Sequence, residues 1–380
     1  MNGVSQNPLG MQRAQQTQFG VINVLKAVAA QLIVLHHLTF YGPMADFARP
    51  LFPTLIDWLA DEARISVQVF LVIGGFLAAK SLAPGGQPGL RHPMGTILRR
   101  YLKLAPPFIA AMLLAIGASA LAGTWMTHDA ISAPPGVAQL AAHALLVHDV
   151  LGYEALSAGA WYVAIDFQLY ALLCVLLWAG GRVAPERPLP WLMPAALTVA
   201  VGASLLYFNL DADWDSWALY FVGSYGLGVL AWWASDPRRA TWAGAGLLCM
   251  MAAPALVALA FDFRSRIALA LLVACLLVLV GRARVPQHAP GAWSLVNAMG
   301  KISYAIFLVH FPVCLVINAL FFRFVPHDTV FQAVGTLLAW GASIAAGAAF
   351  HCWVEVPLGR FLSKITAPAA AYKTRPGTTR

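Results

Sequence analysis

Apolar runs of about 20 residues recur from one end of this chain to the other, and a run of that length is what an α-helix needs to cross the hydrocarbon core of a bilayer. Backbone polar groups inside a bilayer must be satisfied internally, so a chain built of such runs folds as a bundle of helices. The runs fall near residues 20–41, 64–83, 102–122, 160–180, 190–208, 216–234, 241–261, 266–281, 300–322 and 330–353, which predicts about ten spanning helices. Composition agrees, with 60% apolar residues, only 11% charged and a mean hydropathy of +0.71. A soluble domain carries about 25% charged residues. The expected fold class is therefore all-α, a polytopic transmembrane bundle. Its expected divisions are a polar segment at 1–19, the membrane domain at 20–358 and a basic tail at 359–380.

An even number of spans puts both termini on one side, and counting Lys plus Arg in alternate loops tests which side that is. With the termini inside, 18 basic residues fall on the inner side and 5 on the outer, which with Lys26 inside the first span accounts for all 24. Both termini are thus expected to be cytoplasmic. The weak point is the tight connection from Asp262 to Arg266, whose two arginines lie on the disfavoured side. The net charge of +8 is explained by cytoplasmic loops facing anionic lipid and calls for no nucleic acid. Five cysteines stand singly in apolar runs, with no CxxC pair and no histidine at zinc-finger spacing, so no metal is expected. The first twenty residues lack the apolar core and cleavage site of a secretory signal, which leaves the first span as a retained anchor.

Ionisable groups within spans are costly and mark function by default. The first span, VINVLKAVAAQLIVLHHLTFY, carries Lys26 and His37, about 16 Å apart along a helix. Its other histidine, His36, points about 100° away and reads as packing or support. The fourth span, AWYVAIDFQLYALLCVLLWAG, places Asp166 about six residues below its outer end, at a depth similar to that of His37. A carboxylate beside an imidazole orients it, fixes its tautomer and raises its basicity, as a general base acting on a hydroxyl requires. On the cytoplasmic side, ILRRYLKLAPPF brings Arg99, Arg100 and Lys103 to the start of the third span. Arg100 and Lys103 share a helix face and are suited to grip a polyanion together with Lys26, or simply to anchor the span. Pro106 and Pro107 follow and would open the local backbone pairing. The long outer segment from Gly123 to Ala160 has no Lys or Arg but holds His128, His143, His148 and Glu154. Its apolar stretch GVAQLAAHALLVHDVLG is too short to span and is expected as an interfacial or re-entrant helix, either plain packing or a lid facing substrate.

Taken in order, these segments resemble the acyltransferase 3 family of membrane acyl-group transferases. NVLKAVAAQLIVLHH is similar to the family's first-helix pattern, with Lys26 where arginine is usual. SVQVFLVIGGFL resembles the second-helix signature, with Gly74 where serine is common, and RRYLKLAPP the arginine motif, with Lys103 for its second arginine. WYVAIDFQLYALL is similar to the Trp-then-acid helix, with Asp166 for glutamate and Phe167 for a second acid. GKISYAIFLVHFPV and WVEVPLGRF resemble the C-terminal signatures and place Ser303, Tyr304, His310, Glu355 and Pro357.

The resemblance implies transfer of an acyl group, most often acetyl, from an acyl-CoA donor to a hydroxyl of a sugar, polysaccharide or lipid-linked glycan, with no tightly bound cofactor. The bacterial inner membrane is the implied home. On this reading His37 removes the acceptor's proton, Asp166 orients His37, and Lys26, Arg100 and Lys103 hold the donor. His310 lines the donor's path or donates to the thioester oxygen, or else makes a structural pairing. Tyr304 and Glu355 lie near the cytoplasmic face and read as scaffolding, Tyr304 on the donor's side and Glu355 expected to pair with Arg99 or Arg100. Two other classes stay open: a transporter using Lys26, His37, Asp166 and His310 as a proton or substrate path, and an inactive relative serving as an assembly partner.

Overall fold

The computed structural model describes residues 8–183, 189–282 and 292–366, and among them there is no strand. The chain runs through α1 (Pro8–Phe40), α2 (Met44–Ala48), α3 (Pro53–Asp61), α4 (Val67–Leu82), α5 (Pro93–Ala122), α6 (Val137–Ala144) and α7 (Ala160–Val183). It continues through α8 (Leu192–Leu206), α9 (Ala218–Ala234), α10 (Thr241–Phe261), α11 (Ser265–Arg282), α12 (Ala292–Phe324), α13 (Thr329–Phe350) and α14 (Val356–Thr366). Among the described residues, 9 helical stretches are long and apolar enough to cross a membrane. Each of the ten apolar runs lies on a helical stretch; α4 and α8 reach spanning length together with the 3₁₀ turns beside them, as Ala63–Leu82 and Leu192–Leu210, whereas α9 stands apart with 17 residues. Helix α1 begins inside the segment expected to be polar, and α14 extends into the expected tail. Lys373, Arg375, Arg380, Arg187 and Arg284 lie outside the described residues.

The short α9 is almost wholly buried and forms the centre of the bundle with α4. Small residues let the two backbones meet. A Cβ at Gly75 would overlap the carbonyl of Tyr225, and one at Gly228 would overlap the carbonyl of Val72. Close approach of this kind replaces the missing hydrophobic drive between helices in lipid. Ser224 Oγ also donates to Gln68 Oε1 at 2.5 Å across the same contact. On the other side of the molecule α1 runs alongside α12 in the same direction. Gly300 lies against the backbone of Asn23, and His37 meets His310.

The two arginines on the disfavoured side have a structural task. Arg264 donates to the carbonyls of Leu205 and Asn209 and to Asn209 Oδ1, and Arg266 donates to the Asn209 carbonyl. The last carbonyls of a helix have no intrahelical partner. These side chains satisfy the end of α8 and the 3₁₀ turn after it. Arg282 does the same for α9 by donating to Ala234 O at 2.9 Å.

Depth within the bundle departs from the simple count of helix residues. Phe307, one turn inward of His310, meets Tyr162 with ring centroids 5.2 Å apart, and Tyr162 is only the third residue of α7. Phe70, the fourth residue of α4, packs on the same two rings, and Trp161 packs on Phe221, the fourth residue of α9. Helix α1 itself ends at Phe40. The outer ends of α1, α4, α7 and α9 therefore converge near the level of His37 and His310, while α12 continues about 21 Å further out, to Phe324. The segment after α5 folds back into that space as a re-entrant element. Tyr101, about 32 Å of helix before the end of α5, donates through its hydroxyl to Ala144 O at the end of α6, at 2.8 Å.

Candidate active site

The buried ring of His37 lies against the fully buried ring of His310. Nδ1 of His37 is 2.5 Å from Nε2 of His310, with the ring planes 8° apart. The hydrogen-bond pattern fixes the tautomers. Nδ1 of His310 is 3.2 Å from the Ile306 carbonyl, which only accepts, so that nitrogen carries the proton. A neutral His310 then accepts at Nε2, and Nδ1 of His37 must donate. The lone pair of His37 is left on Nε2, the nitrogen free to take a proton from another molecule. His36 turns away as expected, with Nδ1 3.0 Å from Leu59 O, and ties α1 to α3.

Asp166 does not take the expected place beside His37. Its Oδ2 accepts from Arg100 Nη2 at 2.5 Å, and the reason is the depth of α7, which starts at the histidine level. Asp166 sits six residues into that helix, about 9 Å inward of its start. Arg100 stacks over Tyr170, its carbon 5.1 Å from the ring centroid, and Tyr162, Tyr225 and Tyr304 surround the pair. Gly74 is packed here too. A Cβ at that position would lie 3.1 Å from Asp166 Oδ1 and 3.3 Å from the Tyr225 ring. Arg100, expected to hold an anion, thus has its charge balanced from within the bundle, although its buried Nε has no protein partner.

Below this layer lies the basic mouth. Lys26 is half-buried within electrostatic reach of Lys103 and Glu355, and Lys103 is exposed. The expected pairing of Glu355 with Arg99 or Arg100 is not made. Residues His351–Glu355 form a π turn at the inner end of α13, and Glu355 Oε2 meets His351 Nδ1 at 2.8 Å within it. Arg99 is exposed and donates to Thr96 Oγ1. Tyr304 donates through its hydroxyl to Leu104 O at 3.2 Å, a tether between α12 and α5. Helix α5 runs unbroken through Pro106 and Pro107. From inside to outside the site is thus a polar column of three layers: Lys26, Lys103 and Glu355; the Arg100–Asp166 pair with its tyrosines; and the histidine pair.

Sequence reasoning singled out the charged groups, the histidines and Tyr304 of this column, mispaired Asp166 and Glu355, and missed Tyr162, Tyr170 and Tyr225, whose aromatic character within apolar helices gave no signal of its own. The signal for His310 as the partner of His37 was present, since both lie inside spans, but parallel packing of α1 on α12 is what matches their depths. A lateral groove of about 670 Å³ between α5, α12 and α13 is lined by apolar side chains and holds none of these groups.

The chain matches the acyltransferase 3 family, described as an acyltransferase domain, over residues 19–354. It is also similar to a regulator of hypoxia-inducible factor 1 from Caenorhabditis elegans, 24% identical over 178 residues, which is 43% of this chain and 35% of that protein. The match thus spans about a third of the relative's length. No solved structure matches.

Proposed function

This chain belongs to the acyltransferase 3 family, a multi-pass membrane acyltransferase, and we propose that it moves an acyl group, acetyl in the first instance, from cytoplasmic acyl-CoA to a hydroxyl of a sugar, surface polysaccharide or lipid-linked glycan. The observation that carries this reading is the histidine pair, with its basic nitrogen fixed by the Ile306 carbonyl, at the head of a polar column from the basic mouth. The donor's phosphates would rest on Lys26 and Lys103. Lys26 stands 11 residues, about 16 Å, inward of His37, a span suited to a pantetheine arm. That arm would pass the Arg100–Asp166 layer, where the ion pair and its tyrosines supply hydrogen-bonding groups to the amides.

The chemistry balances without a further reactant. His37 Nε2 takes the proton of the acceptor hydroxyl as its oxygen attacks the thioester carbonyl. A C–O bond forms, the C–S bond breaks, and the proton held by His37 passes to the departing sulfur, leaving CoA as the thiol. His310 stabilises the transient imidazolium by accepting from Nδ1, the part a carboxylate plays in other bases of this kind. Asp166 acts on Arg100. A bacterial inner membrane, with donor supplied from the cytoplasm and acceptor on the outer side, fits this geometry.

Release of CoA thiol by the purified protein, given acetyl-CoA and a panel of saccharides, tests the reading. Acceptor-dependent release lost in His37→Ala supports it, and equal release by the two proteins overturns it.

A further inference from the structure

The re-entrant segment holds a second group of polar side chains that the proposed reaction does not yet use. His148 is fully buried, 0% exposed, and neither ring nitrogen has a hydrogen-bond partner in the protein. Its ring stacks on that of His143, with centroids 4.0 Å apart and planes at 16°. His143 is itself committed: Nε2 accepts from the Leu156 N–H, so Nδ1 donates to Gln139 O. The open capacity therefore belongs to His148. Beside it stands Asp149, 3.4 Å from Nε2 to Oδ2, and that oxygen too is buried without a hydrogen-bond partner. Burial raises the Asp149 carboxyl to about 6, with a further contribution from the charge of Asp215, in the connection leading into α9. Asp215 is exposed, Asp149 half-buried and His148 enclosed, so the three grade from the outer surface inward.

This group and the histidine pair are flanked by side chains of one packed cluster. Asp215 precedes by three residues the start of α9, which lies at the level of His37. Leu146 and Leu156, on either side of His148 and Asp149, pack in one cluster with Ile33, Leu308 and Val309, neighbours in sequence of His37 and His310. No lysine or arginine among the described residues pairs with Asp149 or Asp215. The surroundings share their sign. The outer connections 41–66, 123–159, 207–217, 262–266 and 323–328 hold twelve of the chain's 16 carboxylates and five arginines.

A neutral imidazole offers one donor and one acceptor, and an ionised carboxylate accepts only. A sugar hydroxyl, which both donates and accepts, complements this set, whereas a uronate or phosphate would meet carboxylates with no cation to offset them. We infer that His148, Asp149 and Asp215 form the acceptor subsite at the outer mouth, taking the hydroxyls of an uncharged saccharide unit and rejecting acidic ones. This rests on the acyl-transfer reading above and names the class of acceptor for that reaction.

The test uses the full-length protein in nanodiscs with methyl glucopyranoside and methyl glucuronide as probes. Saccharide binding is read by tryptophan fluorescence without donor, and transfer by CoA-thiol release with acetyl-CoA. The wild-type protein should bind and use the neutral probe in preference to the uronate. Asp149→Asn should raise the KM for the neutral probe about tenfold, as loss of a charged acceptor does, with kcat and the acetyl-CoA dissociation constant within twofold. Asp149→Asn with Asp215→Asn should narrow the neutral-to-uronate preference at least tenfold. His148→Gln, of similar size, provides a second variant should the first fold poorly. An unchanged neutral-probe KM in folded variants, with wild-type turnover intact, overturns the subsite and leaves the reaction standing. No thiol release with any saccharide overturns the reaction, and the fluorescence titration still decides the subsite: equal binding by wild type and variants overturns it, and loss in the variants upholds it.

Discussion

Removing Asp166 separates its two possible roles. In the structure its carboxylate is bound to Arg100, with the two side chains 8% and 26% exposed, and it has no contact with His37. Breaking a buried pair by deleting one partner costs about 3–5 kcal/mol, because the remaining charge is left uncompensated. Arg100 keeps its stacking on Tyr170 and some solvent, so Asp166→Asn should fall at the low end, about 3 kcal/mol. With Arg100→Gln already in place it is the Asp166 carboxylate that is uncompensated, so adding Asp166→Asn removes that charge and should cost less than about 1 kcal/mol. The double-mutant cycle is read by thermal unfolding in detergent and, in parallel, by CoA-thiol release. Turnover should follow the same pattern, with Asp166→Asn adding little once Arg100 is Gln. A further loss of a hundredfold or more in the Arg100→Gln background would mean that the carboxylate serves His37 directly, and would refute the pairing argued from the depth of α7.

Other outcomes follow from the same geometry. Gly228→Ala sets a methyl group against the Val72 carbonyl, and the accumulated folded protein should drop severely, a loss measured by fluorescence-detected size exclusion. Lys26→Glu should raise the KM for acetyl-CoA at least tenfold at low salt and less at high salt, whereas Lys26→Arg should leave it near wild type; titration at two ionic strengths checks both. Burial and the neighbouring His143 hold His148 down to about 3, below its ordinary value of 6.5. The unfolded chain therefore takes a proton that the folded one refuses, and stability is lost as pH falls below about 6.5. The raised Asp149 carboxyl opposes this in part. Between pH 7 and 5 the wild-type protein should lose about 2 kcal/mol more than His148→Gln does, by thermal unfolding in detergent.

Much of the fold was legible because the bilayer demands one pattern: runs long enough to span, with Lys and Arg gathered on one side. The same rule left Arg264 and Arg266 unexplained, since the sequence could not show that α8 ends beneath them with open carbonyls. The site was legible as a set of residues. Lys26, His37, Arg100, Asp166 and His310 declared themselves by being ionisable or polar within apolar helices. Their pairing was not legible, because it depends on relative depth. Counting from helix ends assumes that every helix starts at the membrane surface, and α7 starts at the histidine level instead, since the preceding segment folds back inward. The tautomer of His37 was equally out of reach, because it depends on the Ile306 carbonyl four residues before His310.

The central claim is that the His37 nitrogen left free by His310 performs the transfer. It is tested most directly by following labelled acetyl from acetyl-CoA into the glycans of membrane vesicles containing wild-type protein or His37→Ala at equal abundance. The account predicts label in glycan with the wild-type protein and none above background with the variant, while both bind acetyl-CoA with affinities within twofold. Undiminished labelling by His37→Ala would contradict it.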